Sequence, residues 1–338
     1  MHEPGKIEIR EVSDLDEKDL KSNEILMQIQ RIGVCGSDIH VFHGEHPATP
    51  YPVVQGHEYS ALVKAMGSDI TKVKVGDMVT ARPQLVCGTC GPCTRGQYNA
   101  CQNLKVQGFQ AWGVAQDLFI VPEDRVIKLS ESMSFEQGAM VEPTAVGAHS
   151  TRRAADLTDK NVVVSGAGTI GNLVAQFARA RGAKNVVITD INSFKLDKAR
   201  ECGIDLTINL SEETFEDGIS RTLGKEGFQT GFEAAGVQPS LDVLIQNVEK
   251  GGEVVILGVY AENPTVNMYY VGEHELNIFG SMMYKQEDYE EAAELIATNK
   301  IITAPLISKH FAFKDYQNAY KYIDENANKS MKVIIDLT

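Results

Sequence analysis

Cations are scarce in this chain. It carries 32 Lys and Arg against 46 Asp and Glu, for a formal charge of −14 and a pI near 5.1. Phosphate backbones recruit clustered Lys and Arg, so this balance argues against nucleic-acid binding. Long apolar runs are missing as well: no stretch approaches the ~18 residues a membrane helix needs. The opening residues, MHEPGKIEIREV, hold neither a basic segment nor an apolar one. A secretory leader is therefore not expected there, and cytoplasm is the expected compartment. No repeat, low-complexity tract or long linker breaks the sequence, so most loops should be short.

What is present is an ordinary globular balance, 43% hydrophobic and 23% charged over 338 residues, enough for two domains with substantial cores. The six cysteines are unevenly spread. Cys87, Cys90, Cys93 and Cys101 fall within CGTCGPCTRGQYNAC, spaced C-x2-C-x2-C-x7-C. Cytoplasmic thiols stay reduced, and two disulfides closed in so short a loop would be strained. Zinc takes four soft ligands around one point, and Gly88, Gly91 and Pro92 let the backbone turn between them. Four thiolates fill a tetrahedron, so this segment reads as a structural zinc lobe over about 86–102 with no position for substrate. Cys202, in KARECGID, reads as a small buried side chain.

Two rhythms divide the chain. From residue 24 to about 130, short β-type runs alternate with turn residues, as in EILMQIQRIGV and PVVQGHEYSALVKAMG, which suits a small barrel. From about 160, strands alternate with helices, starting from the apolar run NVVVS and continuing through NVVITD, TGFEAAG and GGEVVILG. That alternation predicts an α/β domain with a doubly wound parallel sheet. Helices are expected near 193–202, 239–249, 287–299 and 313–325, with a last strand in MKVIIDL.

Gly166, Gly168 and Gly171 lie between NVVVS and a helix on which Ile170, Leu173, Val174 and Phe177 keep helical spacing. Asp190 ends the next strand, nineteen residues after Gly171. Such glycines allow a tight turn, close approach to a pyrophosphate and helix–strand contact, while the helix N-terminus faces the phosphates. A carboxylate at Asp190 would accept ribose hydroxyls and repel a 2′-phosphate, which favours NAD over NADP. Lys195 is a candidate contact to the adenosine ribose. The segment Leu257, Gly258 and Val259, together with Ser281, is assigned to the nicotinamide half.

Three further segments concentrate polar residues: GVCGSDIH with Cys35, Ser37, Asp38 and His40; GHEYS with His57 and Glu58; and VEPTAVGAH with Glu142. Together with the cysteine lobe, GAGTIG and Asp190, in this order, they make the chain resemble the zinc-dependent medium-chain alcohol dehydrogenases. The branch is that of the polyol, threonine and butanediol dehydrogenases, and the resemblance runs over nearly the whole length. It implies a GroES-like β-rich catalytic domain built from residues 1–148 and 275–338, with a Rossmann domain inserted at 149–274. It also implies two zinc ions per chain. Cys35, His57 and Glu58 correspond to the catalytic zinc ligands, Glu142 to a second carboxylate that binds the metal or holds its water, and Asp38 to the partner of His57. Zinc would lower the pKa of a bound hydroxyl, Ser37 would take the proton and His40 would relay it, with hydride passing to NAD.

The resemblance is not complete. Met283 stands where sorbitol-type enzymes carry Arg, Val41 where they carry an aromatic residue, Ala61 for a Gly, and Gln116 for a Glu. The first two make the pocket less polar, which favours a smaller diol, a modified sugar alcohol or a sugar acid over a long polyol. The first expectation is therefore an NAD-dependent secondary-alcohol dehydrogenase acting on a polyol or sugar-derived alcohol. The alternatives are a 2,3-butanediol or L-threonine dehydrogenase and, outside catalysis, an idle zinc- and dinucleotide-binding protein. Assembly as a homotetramer or dimer is expected, with a small-molecule substrate and no nucleic-acid or membrane partner.

Overall fold

The computed structural model describes residues 1–13 and 15–337. Two compact units emerge. The first comprises Met1–Glu142, Lys285–Ala297 and Ile307–Thr338; the second comprises Pro143–Tyr284 and Thr298–Leu306.

In the first unit the chain runs through β1 (Glu24–Val34), β2 (Glu58–Met66), β3 (Met78–Ala81), β4 (Gln84–Leu85), β5 (Lys105–Val106), β6 (Leu118–Pro122) and β7 (Val126–Lys128). In the second follow β8 (Asn161–Ser165), β9 (Asn185–Asp190), β10 (Leu206–Asn209), β11 (Thr230–Glu233), β12 (Glu253–Ile256) and β13 (Asn277–Gly280). The chain then returns to the first unit with β14 (Ile307–Ala312) and β15 (Lys332–Asp336).

The first sheet has the order β14-β15-β1-β2-β3-β7, with β6 also paired to β1. Its alternating residues feed one core that includes Ile25, Met27, Ile29, Ile32, Tyr59, Val63, Val79, Val121, Val333 and Ile335. Pairing of β1 with β15 brings the last strand of the chain beside the first, with Gly33 opposite Ile334 and Val34 opposite Val333. The second sheet is parallel throughout, in the order β10-β9-β8-β11-β12-β13. Strand β8 is buried along its whole length, as its central Val162–Val164 run requires. The β-rich first unit and the doubly wound second unit agree with the fold class expected from the two rhythms of the sequence.

The unit boundaries differ from those expected at 148/149 and 274/275. Strand β13 hydrogen-bonds in register to β12, Glu253 opposite Asn277, which keeps the chain in the second unit through Tyr284. Residues 298–306 also belong there: the Gln176 amide donates to the Ile302 carbonyl at 3.0 Å and accepts the Ile302 N–H at 2.7 Å. A buried polar residue of the helix Thr169–Ala180 thus ties down an irregular segment, a long-range pairing that local pattern does not encode.

Candidate metal centres and dinucleotide loop

The helix Gly36–His43 begins at Cys35, whose extended backbone makes it the N-cap. Asp38, three residues on, accepts the Cys35 N–H at 2.9 Å through Oδ2, one half of a capping box. GVCGSD is therefore a helix start that holds a thiol at its tip. Glu58 opens β2 directly opposite Gly33, and a Cβ on Gly33 would collide with the Glu58 carboxylate. The glycine makes room for a buried acid. One donor atom from each of Cys35, His57 and Glu58 lies within 4.8 Å of the others.

Asp38 Oδ1 stands 3.5 Å from His57 Nδ1. Both atoms are buried and neither has a hydrogen-bond partner among the described residues, so the acid faces the imidazole at a distance one small shift would close. Burial opposes charge on His57, but Asp38 and Cys35 outweigh it and raise its pKa well above the ordinary value. The Phe109 ring packs against this imidazole with centroids 5.0 Å apart, and against the His46 ring at 4.9 Å.

Sequence reasoning missed Lys332. Its ammonium is buried and donates to Glu58 Oε2 at 2.6 Å, Oε1 at 2.7 Å and the Val34 carbonyl at 3.1 Å. Burial works against its charge, yet the Glu58 and Cys35 charges prevail and raise its pKa. A lysine opening an otherwise apolar strand was the available hint, since a buried cation needs a partner. Glu142 is buried but stands outside the set of three donors; its charge acts instead on Lys332 and on the buried Tyr289. Ser37 is half-buried, while His40 is 58% exposed with Nδ1 3.1 Å from Glu45 Oε2. Among the described residues, no hydrogen bond joins Ser37 to His40. Val41 is fully buried in a cluster with Val53 and Phe109, and Met283 has a left-handed backbone, φ 49°.

In the cysteine lobe all four thiols are free and mutually within 4.8 Å. Cys101 Sγ lies 3.5 Å from Cys87 Sγ and 3.9 Å from Cys90 Sγ. A tetrahedron with Zn–S bonds of about 2.3 Å has edges of about 3.8 Å, so these separations fit the ion and are far too long for disulfides. The backbone N–H groups of Thr89 and Cys90 draw the Cys87 thiol down to about 5. Desolvation and the neighbouring thiols push Cys93 up to about 12, the behaviour of clustered thiols that cannot all ionise without a cation. Tyr98 ties the lobe to the body: its hydroxyl accepts the Gln286 N–H at 2.5 Å, and the Arg82 guanidinium sits 5.2 Å above its ring.

In the second unit the glycine-rich turn behaves as its spacing requires. Gly166 has φ 104°, and a Cβ on Gly171 would collide with the Gly166 carbonyl. Nothing lies within 4 Å of a Cβ built on Gly168, so its backbone is open to close approach by a phosphate. Ile170 follows in the first turn of the helix Thr169–Ala180. Asp190 Oδ2 accepts the Ala167 N–H at 2.8 Å and Oδ1 the Asn192 N–H at 2.9 Å. Asn172, also missed, donates to the Ala167 carbonyl at 2.6 Å from a fully buried position. Ala167 is thus clamped at both its N–H and its C=O. Lys195 is half-buried in the helix Ser193–Glu201. Leu257 and Gly258 donate N–H groups to the Glu233 carbonyl, Val259 is 89% exposed, and the Ser281 hydroxyl is buried without a partner.

Comparison with known proteins gives these arrangements a context. Residues 21–131 match the alcohol dehydrogenase GroES-like domain and residues 169–298 the zinc-binding dehydrogenase family. An L-threonine 3-dehydrogenase from Vibrio cholerae serotype O1 is 29% identical over 331 residues, 96% of this chain and 95% of its own length. Galactitol-1-phosphate dehydrogenase from Escherichia coli is 30% identical, with a TM-score of 0.90 over 98% of this chain and 97% of that one. A structure described as a zinc-binding dehydrogenase from Sinorhizobium meliloti, bound to NADP, is 28% identical with a TM-score of 0.90, covering 98% and 96% of the two chains.

Proposed function

The chain belongs to the zinc-dependent medium-chain alcohol dehydrogenase family, and from that premise we propose that it oxidises a secondary alcohol of the polyol or sugar-derived class with NAD. The observation that carries this reading is the convergence of Cys35, His57 and Glu58 within 4.8 Å. A thiolate, an imidazole and a carboxylate leave a tetrahedral ion one open position. Zinc held there supplies Lewis acidity toward the alcohol oxygen, and the nicotinamide supplies the hydride acceptor.

The chain's own residues do the rest. Asp38 orients His57 by facing Nδ1, which leaves the other ring nitrogen for the metal. Gly33 keeps the Glu58 carboxylate in place by lacking a side chain, and Lys332 balances its charge. Ser37 Oγ receives the alcohol proton, and the exposed His40 ring, steadied by Glu45, passes it to solvent, with water bridging the two because they share no direct hydrogen bond. Glu142, outside the three donors, acts on the site through its charge. The four lobe cysteines hold a second, structural zinc.

Asp190 supports NAD. Its two oxygens already lock Ala167 and Asn192, and its charge opposes a 2′-phosphate; the NADP bound in the Sinorhizobium structure defines the competing outcome. A second reading, L-threonine as substrate, is favoured by the 29% identity to the Vibrio enzyme. The exposed edge strand β13, with Ile278 and with Met268, Tyr269 and Met282 exposed nearby in sequence, supports assembly into a dimer or tetramer through paired sheet edges. Six free cysteines suit the reducing cytoplasm, and among the described residues no helix is long and apolar enough to cross a membrane.

The test is a panel of polyols, polyol phosphates, diols, sugar acids and threonine with NAD and NADP, followed by reduced-cofactor absorbance, with Cys35→Ser as blank. A polyol-type substrate turned over by the wild type alone is expected. Equal turnover by the blank removes the metal role, and a preference for NADP removes the role given to Asp190.

A further inference from the structure

Glu233 ends β11, and none of its side chain reaches solvent. A buried carboxylate must be satisfied by hydrogen bonds or neighbouring donors. Oε1 is fully engaged: it accepts the N–H groups of Ala235 and Gly236, each at 2.9 Å, and the Ser240 hydroxyl at 2.7 Å. Ser240 Oγ lies 2.8 Å from Ser165 Oγ, which also receives the Thr189 hydroxyl at 3.3 Å. A line of buried polar groups therefore crosses the carboxyl ends of β9, β8 and β11.

Oε2 is different. It is buried and has no hydrogen-bond partner among the described residues. The Tyr260 hydroxyl, on the loop after β12, is likewise buried and without a partner. Burial first, and then the nearness of the Glu233 carboxylate, raise the pKa of this phenol, so at neutral pH it is a donor close to an acceptor. Between them the two loops touch at glycines. A Cβ on Gly258 would collide with Glu233 Oε2 and with the Gly236 nitrogen, and a Cβ on Gly236 would sit 2.6 Å from the Val259 carbonyl oxygen. The Glu233 carbonyl accepts the N–H groups of Leu257 and Gly258 at 2.9 and 3.0 Å. The loop after β12 thus rests on Glu233 along its length, with one donor–acceptor pair left to close.

We propose that Glu233 is a positioning residue with two faces: Oε1 fixes the turn at Ala235–Gly236, and Oε2 takes the Tyr260 hydroxyl and so latches the Leu257–Tyr260 loop in the form that receives the nicotinamide half of the dinucleotide. The last clause rests on the NAD reading above; the latch itself does not. Both loops follow parallel strands at their carboxyl ends, where ligands bind in open α/β sheets. Holding such a loop before the ligand arrives lowers the ordering cost of binding.

Amide hydrogen exchange on the intact, cofactor-free protein tests the latch directly, and NADH titration by fluorescence tests its consequence. Tyr260→Phe should speed exchange at residues 258–262 about fivefold, the worth of one hydrogen bond, while the Ala235 and Gly236 amides stay as protected as in the wild type. Glu233→Ala should release both loops. NADH affinity of Tyr260→Phe should fall by about the same factor with kcat changed less than KM. If Tyr260→Phe exchanges like the wild type at 258–262, the latch is overturned, whether or not Glu233→Ala folds. Weaker NADH binding by Glu233→Gln with Tyr260→Phe unaffected would also overturn it, by showing that Oε2 faces the ligand. If exchange changes as expected but the wild type binds no NADH, the latch stands and the cofactor reading falls.

Discussion

The first unit carries two donor sets of opposite character. The lobe gathers four thiols of one kind within a fifteen-residue segment, Cys87–Cys101. The other set joins a thiol at a helix tip, an imidazole and a carboxylate at the start of β2, and it is bordered by an ammonium from the last strand. The lobe is closed and chemically uniform, so an ion there can only hold the fold together. A tetrahedral ion on the mixed set would keep one position open, and the set is surrounded by groups that bias charge: Asp38 behind His57, Lys332 on Glu58, and Glu142 nearby. A reactive centre needs the second kind of surroundings, because its charge changes during turnover while a structural ion's does not.

That contrast can be broken most directly by paired cysteine variants. Cys35→Ser should lower kcat/KM about a thousandfold, the worth of several kcal/mol of Lewis-acid stabilisation, and leave one zinc per chain by elemental analysis. Cys101→Ser should also lose one zinc, but its damage should appear in stability, with a melting temperature about 10 °C lower and much smaller loss in initial rate at low temperature. If the two variants behave alike, the division of labour is wrong. Lys332→Met comes next. It strands a buried carboxylate, so unfolding of the metal-free protein in urea should show a loss of about 3 kcal/mol. Zinc should restore part of this by taking over as the counter-charge of Glu58, and a loss unaffected by zinc would separate Lys332 from the site.

Smaller effects sharpen the same distinction in the second unit. Asp190→Ser should raise the KM for NAD about tenfold and narrow the gap to NADP, since the hydroxyl neither binds two ribose oxygens nor repels a phosphate. Asn172→Leu removes the amide's hydrogen bonds to the Ala167 and Gly168 carbonyls, and should raise the NAD KM about fivefold while leaving kcat nearly unchanged. An equal fall in kcat would mean that Asn172 supports the helix rather than the phosphate turn.

Legibility in the sequence followed the range of the interactions. The cysteine spacing, the glycine turn with Asp190, and the two-rhythm division into a β-rich and a doubly wound unit are local patterns, and each could be read directly. Cys35 and Asp38 were readable as neighbours, but their link through a helix cap came only with backbone geometry. Glu142 illustrates the opposite case. It lies in a recognisable motif, at the start of the helix Val141–Arg153, yet it stands outside the three donors. Asn172 looked like an ordinary helix residue, because nothing in GAGTIGNLV announces that its amide turns back to the loop.

By itself the sequence determined which local chemistry was available: soft ligands at short spacing and a glycine-rich turn after an apolar strand. These depend on residue identity and on separations of a few positions, where the backbone leaves little choice. Only the tertiary structure decided which charges face one another. The pairing of β1 with β15 sets Lys332 on Glu58 across 274 residues of chain, and the stacking of β11 beside β12 sets Tyr260 by Glu233. Such contacts arise from strand order and register, which the whole core fixes together, so no short segment contains them.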